Sequence, residues 1–564
     1  MTIHDHAPMR PSGPWSRTPE RIVIAIFLLM LLATAGRNAL DILSYKNFHE
    51  ELRILYHYDP ARTNSKDYAG QFLSKFPQPF LYAYLTKAAL YVGVDLILFH
   101  KLLGVLCGIL LLAGGAVAGL RIVGAVAASA IAVLIAAQPI YHYQISSATP
   151  HAFAFPLLIW GLVCLLYQRP YVLAGLTVLS GLLYPPISTV LGLALAWHLL
   201  VARKGLSAQN PNRVADVLVL GFTGAISVAL LWHQIAPVEG YGAPLPPGVK
   251  ADLYPENGPD GRHFHGVFNP FAYVLFSTMG QFNKVLPLAV ITVLTPCIIA
   301  VAGYGLYRLR NRIDFFQPLL SFIIPSLIFC VLIVLLRPYL AYRFVLYPLL
   351  TVLPVLFVFG LLTLCNSCRT ALHFPTVAIV AVMALLAISL SGTDRYRNFS
   401  PLRLDEPSNR LMGFVHRLPP DSLLAAWPGE PQTSLIPYVA ARPLLVDFKA
   451  HYPTYEGHIL NMRARMFDLI DAYLASDIKP LIHLRCSWQV DYLVVDRDHF
   501  ADEETAPVYF APFNERIEKI LSTAEKSKMI LQQPPAGAVV FQAGKFTVLD
   551  LALLSDGAAC PAQR

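Results

Sequence analysis

The sequence predicts a mainly α, polytopic membrane protein: a transmembrane helical bundle of about eleven spans with a C-terminal α/β extracytoplasmic domain. Two observations predict it. Residues 22–391 are apolar stretches broken by short polar turns, whereas residues 392–564 have the mixed composition of a water-soluble domain. The 564-residue chain is 55% hydrophobic and only 14% charged, with a mean hydropathy of +0.53. A soluble globule of that composition would expose far too much apolar surface.

A spanning helix needs roughly 20 mainly apolar residues, because lipid offers its backbone no hydrogen-bond partners. Such spans fall near 22–41, 102–120, 122–140, 152–167, 171–184, 187–202, 214–233, 284–306, 317–336, 344–363 and 373–391. Lys and Arg accumulate on the cytoplasmic side of short loops. With residues 1–21 as a cytoplasmic segment, the inner turns hold Arg10, Arg17 and Arg21, then Arg121, Arg169, Arg203 with Lys204, Arg213, the cluster Arg308, Arg310 and Arg312, and Arg369. An odd number of spans places the tail outside, as in a bacterial-type inner (cytoplasmic) membrane. Small residues at Ala33-Thr34-Ala35-Gly36 would suit a cleaved signal, but the further spans need none and the first is expected to be retained.

Residues 79–98 are apolar enough to span, yet counting them would invert every later turn. They are expected to form an interfacial helix, with Phe80, Tyr82, Tyr84 and Tyr91 at the headgroup boundary. Two outer loops are long, about 42–101 and 234–283, and loops of such length in a compact body usually carry function. In the tail, β-rich runs at Leu423–Trp427, Leu444–Phe448, Tyr492–Asp496 and Ala538–Leu549 alternate with helical patterns at Ile459–Ala475 and Asn514–Ser527.

The formal net charge of +8 is spread through membrane-flanking turns, which argues against nucleic acid as a partner. Cys107, Cys164, Cys297 and Cys330 lie in apolar spans as packing residues, and the Cys365/Cys368 pair stands alone. Cys486 and Cys560 share the tail and could pair in an oxidising compartment. No phosphate-cradling glycine loop, nucleophile elbow or zinc signature appears. No metal-ligand residues are assigned, and the cofactor is left unknown, a divalent metal being possible but unsupported by the sequence.

The outer face carries the candidate chemistry. Asp41 closes the first span where a carboxylate reaches both headgroup and water, and it can act as a general base on an acceptor hydroxyl. Glu50 and Glu51 follow as further catalytic candidates. Lys75, Lys101, Arg337 and Arg343 sit at outer membrane ends, the wrong side for ordinary anchoring, and so ask for an anion. The planar fork of arginine suits a phosphate. Tyr342, with His142 and His151 in the outer turn Pro139–His151, would line a substrate groove.

The order of these features resembles the GT-C glycosyltransferases, a superfamily that includes aminoarabinose, mannosyl- and oligosaccharyltransferases. The resemblance rests on a first span ending in Asp41, a large first outer loop, and the segment Phe76-Pro77-Gln78-Pro79-Phe80 followed by Gly93-Val94-Asp95 and Lys101-Leu102-Leu103. It continues with the basic turn at Arg121 and Tyr342-Arg343-Phe344-Val345-Leu346-Tyr347-Pro348, so that it covers about residues 20–390. It implies transfer of a sugar from a polyprenyl-phosphate carrier to an acceptor on the outer face, with Asp41 as the catalytic acid of the first outer loop. The oligosaccharyltransferase signature WWDYG is absent, and the outer turn 141–151 holds no second acid. A flippase for lipid-linked glycans, or a silent envelope assembly partner, is the alternative; the flippase would show ionisable groups at the bilayer midplane, and none is evident.

Overall fold

The computed structural model describes residues 32, 35–36, 39–40, 42–43, 48–122, 124–137, 139–146, 148–202, 211–234, 236–245, 253–258, 260–262, 288–336, 342–367, 404–501, 506–523, 528–555 and 560. Most of the expected span 22–41, all of 373–391, and the expected boundaries at 21 and 391 lie outside these residues.

The membrane part begins with three short helices of the first outer loop, α1 (Phe48–Tyr58), α2 (Tyr68–Lys75) and α3 (Phe80–Tyr91). The bundle follows as α4 (Leu96–Ile122), α5 (Ala125–Ala137), α6 (Pro139–Ser146), α7 (Ala154–Leu166), α8 (Pro170–Leu183), α9 (Pro185–Trp197), α10 (Arg213–Gln234), α11 (Leu288–Leu309), α12 (Ile313–Leu336) and α13 (Tyr342–Ser367). Five segments are long and apolar enough to cross a membrane, Leu96–Ile122, Pro185–Ala202, Arg213–Gln234, Ile313–Leu332 and Arg343–Leu364. The expected eleven spans are thus not reached among the described residues. Pro150–Leu166, Pro170–Leu183 and Pro296–Leu309 are shorter apolar helices.

Two boundaries differ from expectation for local reasons. The interfacial segment is helical only over the 12 residues of α3, too short to span. Gly93 turns the chain in the left-handed region at φ +80, and Asp95 Oδ1 accepts the Leu98 amide at 2.8 Å, which starts the first long helix at Leu96 rather than near 102. The turn 139–150 is itself mostly helical, as α6 and a 3-10 turn at Pro150–Phe153.

Apolar side chains such as Leu158, Leu162, Leu191, Leu195, Phe322 and Tyr347 fill the bundle interior. Between membrane helices close backbone approach replaces hydrophobic drive, so small residues mark the contacts. At Gly360 an added Cβ would lie 2.1 Å from the Val301 carbonyl oxygen, which fixes how tightly α11 packs on α13. By contrast α10 turns Val214, Leu218, Phe222, Val228 and Trp232 outward, a face that lipid and not water would solvate.

The tail domain is built on a four-stranded sheet ordered β1-β2-β4-β3, with β1 (Leu424–Ala426), β2 (Tyr492–Asp496), β3 (Val539–Ala543) and β4 (Phe546–Asp550). β1 pairs parallel with β2, and the other pairs are antiparallel. Alternation along the strands buries both faces: Ala425, Leu493, Val495 and Leu549 meet Met462, Met466 and Leu469 of α16 (Glu456–Tyr473), while Leu424, Val494 and Val548 meet Leu411, Met412 and Val415 of α14 (Glu406–Arg417). Between them, α15 (Ile436–Val439) precedes the expected strand near Leu444, which is reduced to a single parallel bridge from Leu444 to Leu424. The order closes with α17 (Lys479–Trp488) and α18 (Phe513–Thr523). Cys486 of α17 and Cys560 are joined by a disulfide.

Both outer loops are packed onto the tail. Leu52, Tyr56, Phe72 and Leu73 of the first share one apolar cluster with Tyr241 of the second and Ala450 and Tyr455 of the tail. Arg463 of α16 holds the fully buried Glu256 of the second loop through two bonds of 2.7 Å each.

Candidate functional site

The site forms where α1, the rim of the bundle and the tail meet. Helix α1 buries Phe48, Leu52, Leu55 and Tyr56, and it carries Glu50 and Glu51 in its first turn, where the helix dipole favours anions. Neighbouring positions on a helix diverge by about 100°. The two carboxylates therefore serve different partners.

Glu51 turns toward the bundle. Its carboxylate lies 2.6 Å from Lys101 Nζ of α4 and accepts the Tyr438 hydroxyl of α15 at 2.6 Å, with both charged side chains almost wholly buried. Lys101 also donates to the Ser146 carbonyl at 3.4 Å. One carboxylate thus ties outer loop, bundle and tail together.

Glu50 turns toward the tail, where its Oε1 is bonded by the Lys449 ammonium, and Arg53, one helical turn on, stands 3.7 Å from its Oε2. Burial alone would raise the Glu50 carboxyl, but Lys449, His151 and Arg53 outweigh it and hold the group well below the usual carboxylate range. Burial likewise opposes charge on Lys449, yet Glu50 and Tyr452 raise its ammonium above the ordinary value. The buried Tyr452 phenol is pulled down in turn by Lys449 and Arg53, against the effect of burial.

The cationic field extends into the bundle and the second loop. Arg343 donates to the Tyr184 hydroxyl at 2.7 Å at the start of α13, and together with Arg53 and Lys449 it acts electrostatically on the buried His151. From the second loop, Arg262 lies with its Cζ 3.9 Å from the Phe448 ring centroid and 5.4 Å from that of Tyr452. Its Nε and one terminal nitrogen are buried and meet no hydrogen-bond acceptor among the described residues. Arg53, Arg343 and Lys449 therefore converge around Glu50 and His151, and Arg262 flanks them beside Tyr452 and Asp447. Beside them Asp447 shapes the turn that presents Lys449 by accepting the Ala450 amide at 2.9 Å, and burial raises its carboxyl.

The structure thus brings Glu50, His151 and Arg343 into one cluster and puts Glu51 and Lys101 in an adjoining ion pair. Lys75 is exposed at the end of α2, its Nζ 5.6 Å from the Tyr241 ring. Tyr342 opens α13 and His142 lies on α6. Asp41 and Arg337 fall outside the described residues, as do the side chains of Tyr342 and His142. Sequence reasoning missed Arg53, Arg262, Lys449 and Tyr452. The available signal was the D-F-K-A-H-Y run at 447–452, which sets Asp447, Lys449 and His451 among aromatic residues directly after the apolar Leu444–Val446.

No protein-family model matches the chain, and no curated protein matches it. Among solved structures, the chain is similar to the Archaeoglobus fulgidus oligosaccharyltransferase in its complex with Zn and sulfate, with a TM-score of 0.51 and 13% identity over 88% of this chain and 70% of that one. It is also similar to ArnT from Cupriavidus metallidurans in the apo state, with a TM-score of 0.46 and 14% identity over 95% of this chain and 98% of that one. The chain shares the fold of that oligosaccharyltransferase.

Proposed function

We propose that the protein is an inverting membrane glycosyltransferase that moves a sugar from a polyprenyl-phosphate carrier to a lipid, glycan or protein acceptor on the outer face of a bacterial-type inner membrane, with its N-terminus cytoplasmic and its tail outside. The observation that carries this reading is the convergence of Arg53, Arg343 and Lys449 at the junction of bundle, outer loops and tail, flanked by Arg262, two of whose nitrogens meet no acceptor among the described residues. Part-buried cations in such number call for an anion, and a phosphate is the anion that guanidinium groups fit best.

In the reaction, the acceptor oxygen forms a bond to the anomeric carbon as the bond from that carbon to the carrier phosphate breaks, and the phosphate leaves with the electron pair. Fixed cations in a partly dry site stabilise the charge that develops on it without reorganising. Asp41 takes the proton of the acceptor hydroxyl. Glu50 is poorly suited to that task, because a carboxylate held so acidic is a weak base; it instead keeps the surrounding cations in place. Arg337 and Lys75 extend the phosphate site toward the headgroup layer. Lys101, neutralised by Glu51, fixes α1 to the bundle, and Tyr342, His142 and His151 line the sugar groove.

The test is transfer from labelled polyprenyl-phosphate sugars by the purified, reconstituted protein. Asp41→Asn abolishes transfer while leaving membrane insertion intact; retained transfer in that variant overturns the assignment of the base.

A further inference from the structure

A second cluster of ligating groups lies in the tail, away from the membrane rim. Glu430, Asp496 and His499 each offer one atom, and these three atoms lie within 4.8 Å of one another. His499 Nε2 is 3.0 Å from Glu430 Oε1, and its other ring nitrogen, Nδ1, is fixed by the Tyr473 hydroxyl at 2.9 Å. A partner on the far nitrogen is what orients a histidine that binds metal through the near one. The Tyr473 hydroxyl is itself held by the Asp496 amide at 2.9 Å, so the imidazole, the phenol and the carboxylate-bearing backbone form one connected support.

The position in the fold is equally informative. Glu430 follows β1, and Asp496 and His499 end and follow β2, the two strands that pair in parallel. Crevices outside the carboxyl ends of parallel strands are where open α/β sheets bind ligands. The β3–β4 turn comes to the same end and supplies Lys545, whose Nζ lies 2.6 Å from Asp496 Oδ2, 3.8 Å from Glu430 and 3.9 Å from Asp498. Arg497 is turned away, donating to the Gly544 carbonyl. Three carboxylates thus face a single ammonium, which leaves the crevice negative. Asp496 Oδ2 is buried, and beyond the ion pair with Lys545 it receives no hydrogen bond from the described residues.

We propose that Glu430, Asp496 and His499 form a binding site for a divalent transition-metal ion, with Lys545 standing in the cation's place and swinging out when the metal enters. One imidazole nitrogen and two carboxylate oxygens, with an open fourth position, match the ligand set of zinc better than the all-oxygen shell of magnesium or calcium. Glu430 and Lys545 are each about a quarter exposed, 25% and 27%, so the ion has a path from solvent.

The experiment is calorimetric titration of zinc chloride into the chelator-treated full-length protein, with zinc absorption spectroscopy of the loaded sample. One saturable site with an imidazole nitrogen in the zinc shell is expected. Lys545→Gln removes the competing ammonium and tightens that site by about tenfold or more, whereas Glu430→Gln and His499→Ala each weaken it by about 10- to 100-fold. Glu430 is partly exposed, which keeps the test meaningful if the His499 variant misfolds. No saturable binding to the wild type and Lys545→Gln, or binding that is unchanged in Glu430→Gln, overturns the proposal.

Discussion

The Lys449 ammonium bonds the Glu50 carboxylate across 399 residues of sequence, joining the tail to the first outer loop at a place neither would bury alone. Removing one partner of a buried pair strands the other as an uncompensated charge, which typically costs about 3–5 kcal/mol. Lys449→Met is therefore expected to lower the thermal unfolding midpoint in detergent, and the double variant Lys449→Met/Glu50→Gln to recover much of that loss. Equal destabilisation of the single and double variants would contradict the pairing.

The Glu51–Lys101 pair makes a separate mechanical prediction. Tyr438→Phe deletes one hydrogen bond to a charged group, worth about 1.5–3 kcal/mol, and leaves the ion pair intact. Limited proteolysis should then show the tail and first outer loop opening together, while the bundle stays protected.

Asp67 gives the junction a pH dependence. It caps α2 through the Gly70 amide at 2.7 Å, and burial, reinforced by Asp447, raises its carboxyl to about 7 against the opposing effect of that amide. Because the folded value lies above the unfolded one, this group's contribution to stability is full below the ordinary carboxylate range, near 4, and is lost as pH rises through about 7. Asp67→Asn keeps a capping oxygen and cannot ionise. Its unfolding midpoint relative to that of the wild type should rise steadily from pH 4 to pH 8; a constant difference across that range would contradict the assignment.

Much of the fold was legible because membrane spans announce themselves by length and apolarity. The helices at 154–166, 170–183 and 213–234 fall within a few residues of their expected positions, as do strand β2 and helix α18. The site was legible only on its membrane side. Glu50, His151 and Arg343 were visible as outer-face polar residues, but Lys449 and Arg262 become part of the cluster only when distant segments dock, and nothing local in the sequence encodes that docking. Lys101 was read as seeking an anion from outside, whereas the anion it meets is Glu51 of the same chain.

Arg343 separates charge from geometry. Lysine preserves the charge but not the planar fork that reaches Tyr184 and would engage the proposed phosphate at the same time. Arg343→Lys is expected to reduce sugar transfer by about 100-fold, the scale of losing one preorganised donor to developing charge, with little change in unfolding temperature. Wild-type rates in that variant would remove Arg343 from the phosphate site.

The central claim, that the clustered cations hold the carrier phosphate, is tested most directly by the affinity of labelled polyprenyl phosphate for the reconstituted protein. Saturable binding that falls at least about tenfold in Arg262→Gln, and further in Arg262→Gln/Arg343→Gln, is predicted, each lost charge-assisted contact being worth about 1.5–3 kcal/mol. Undiminished binding in the folded double variant, or no saturable binding to the wild type, would contradict it.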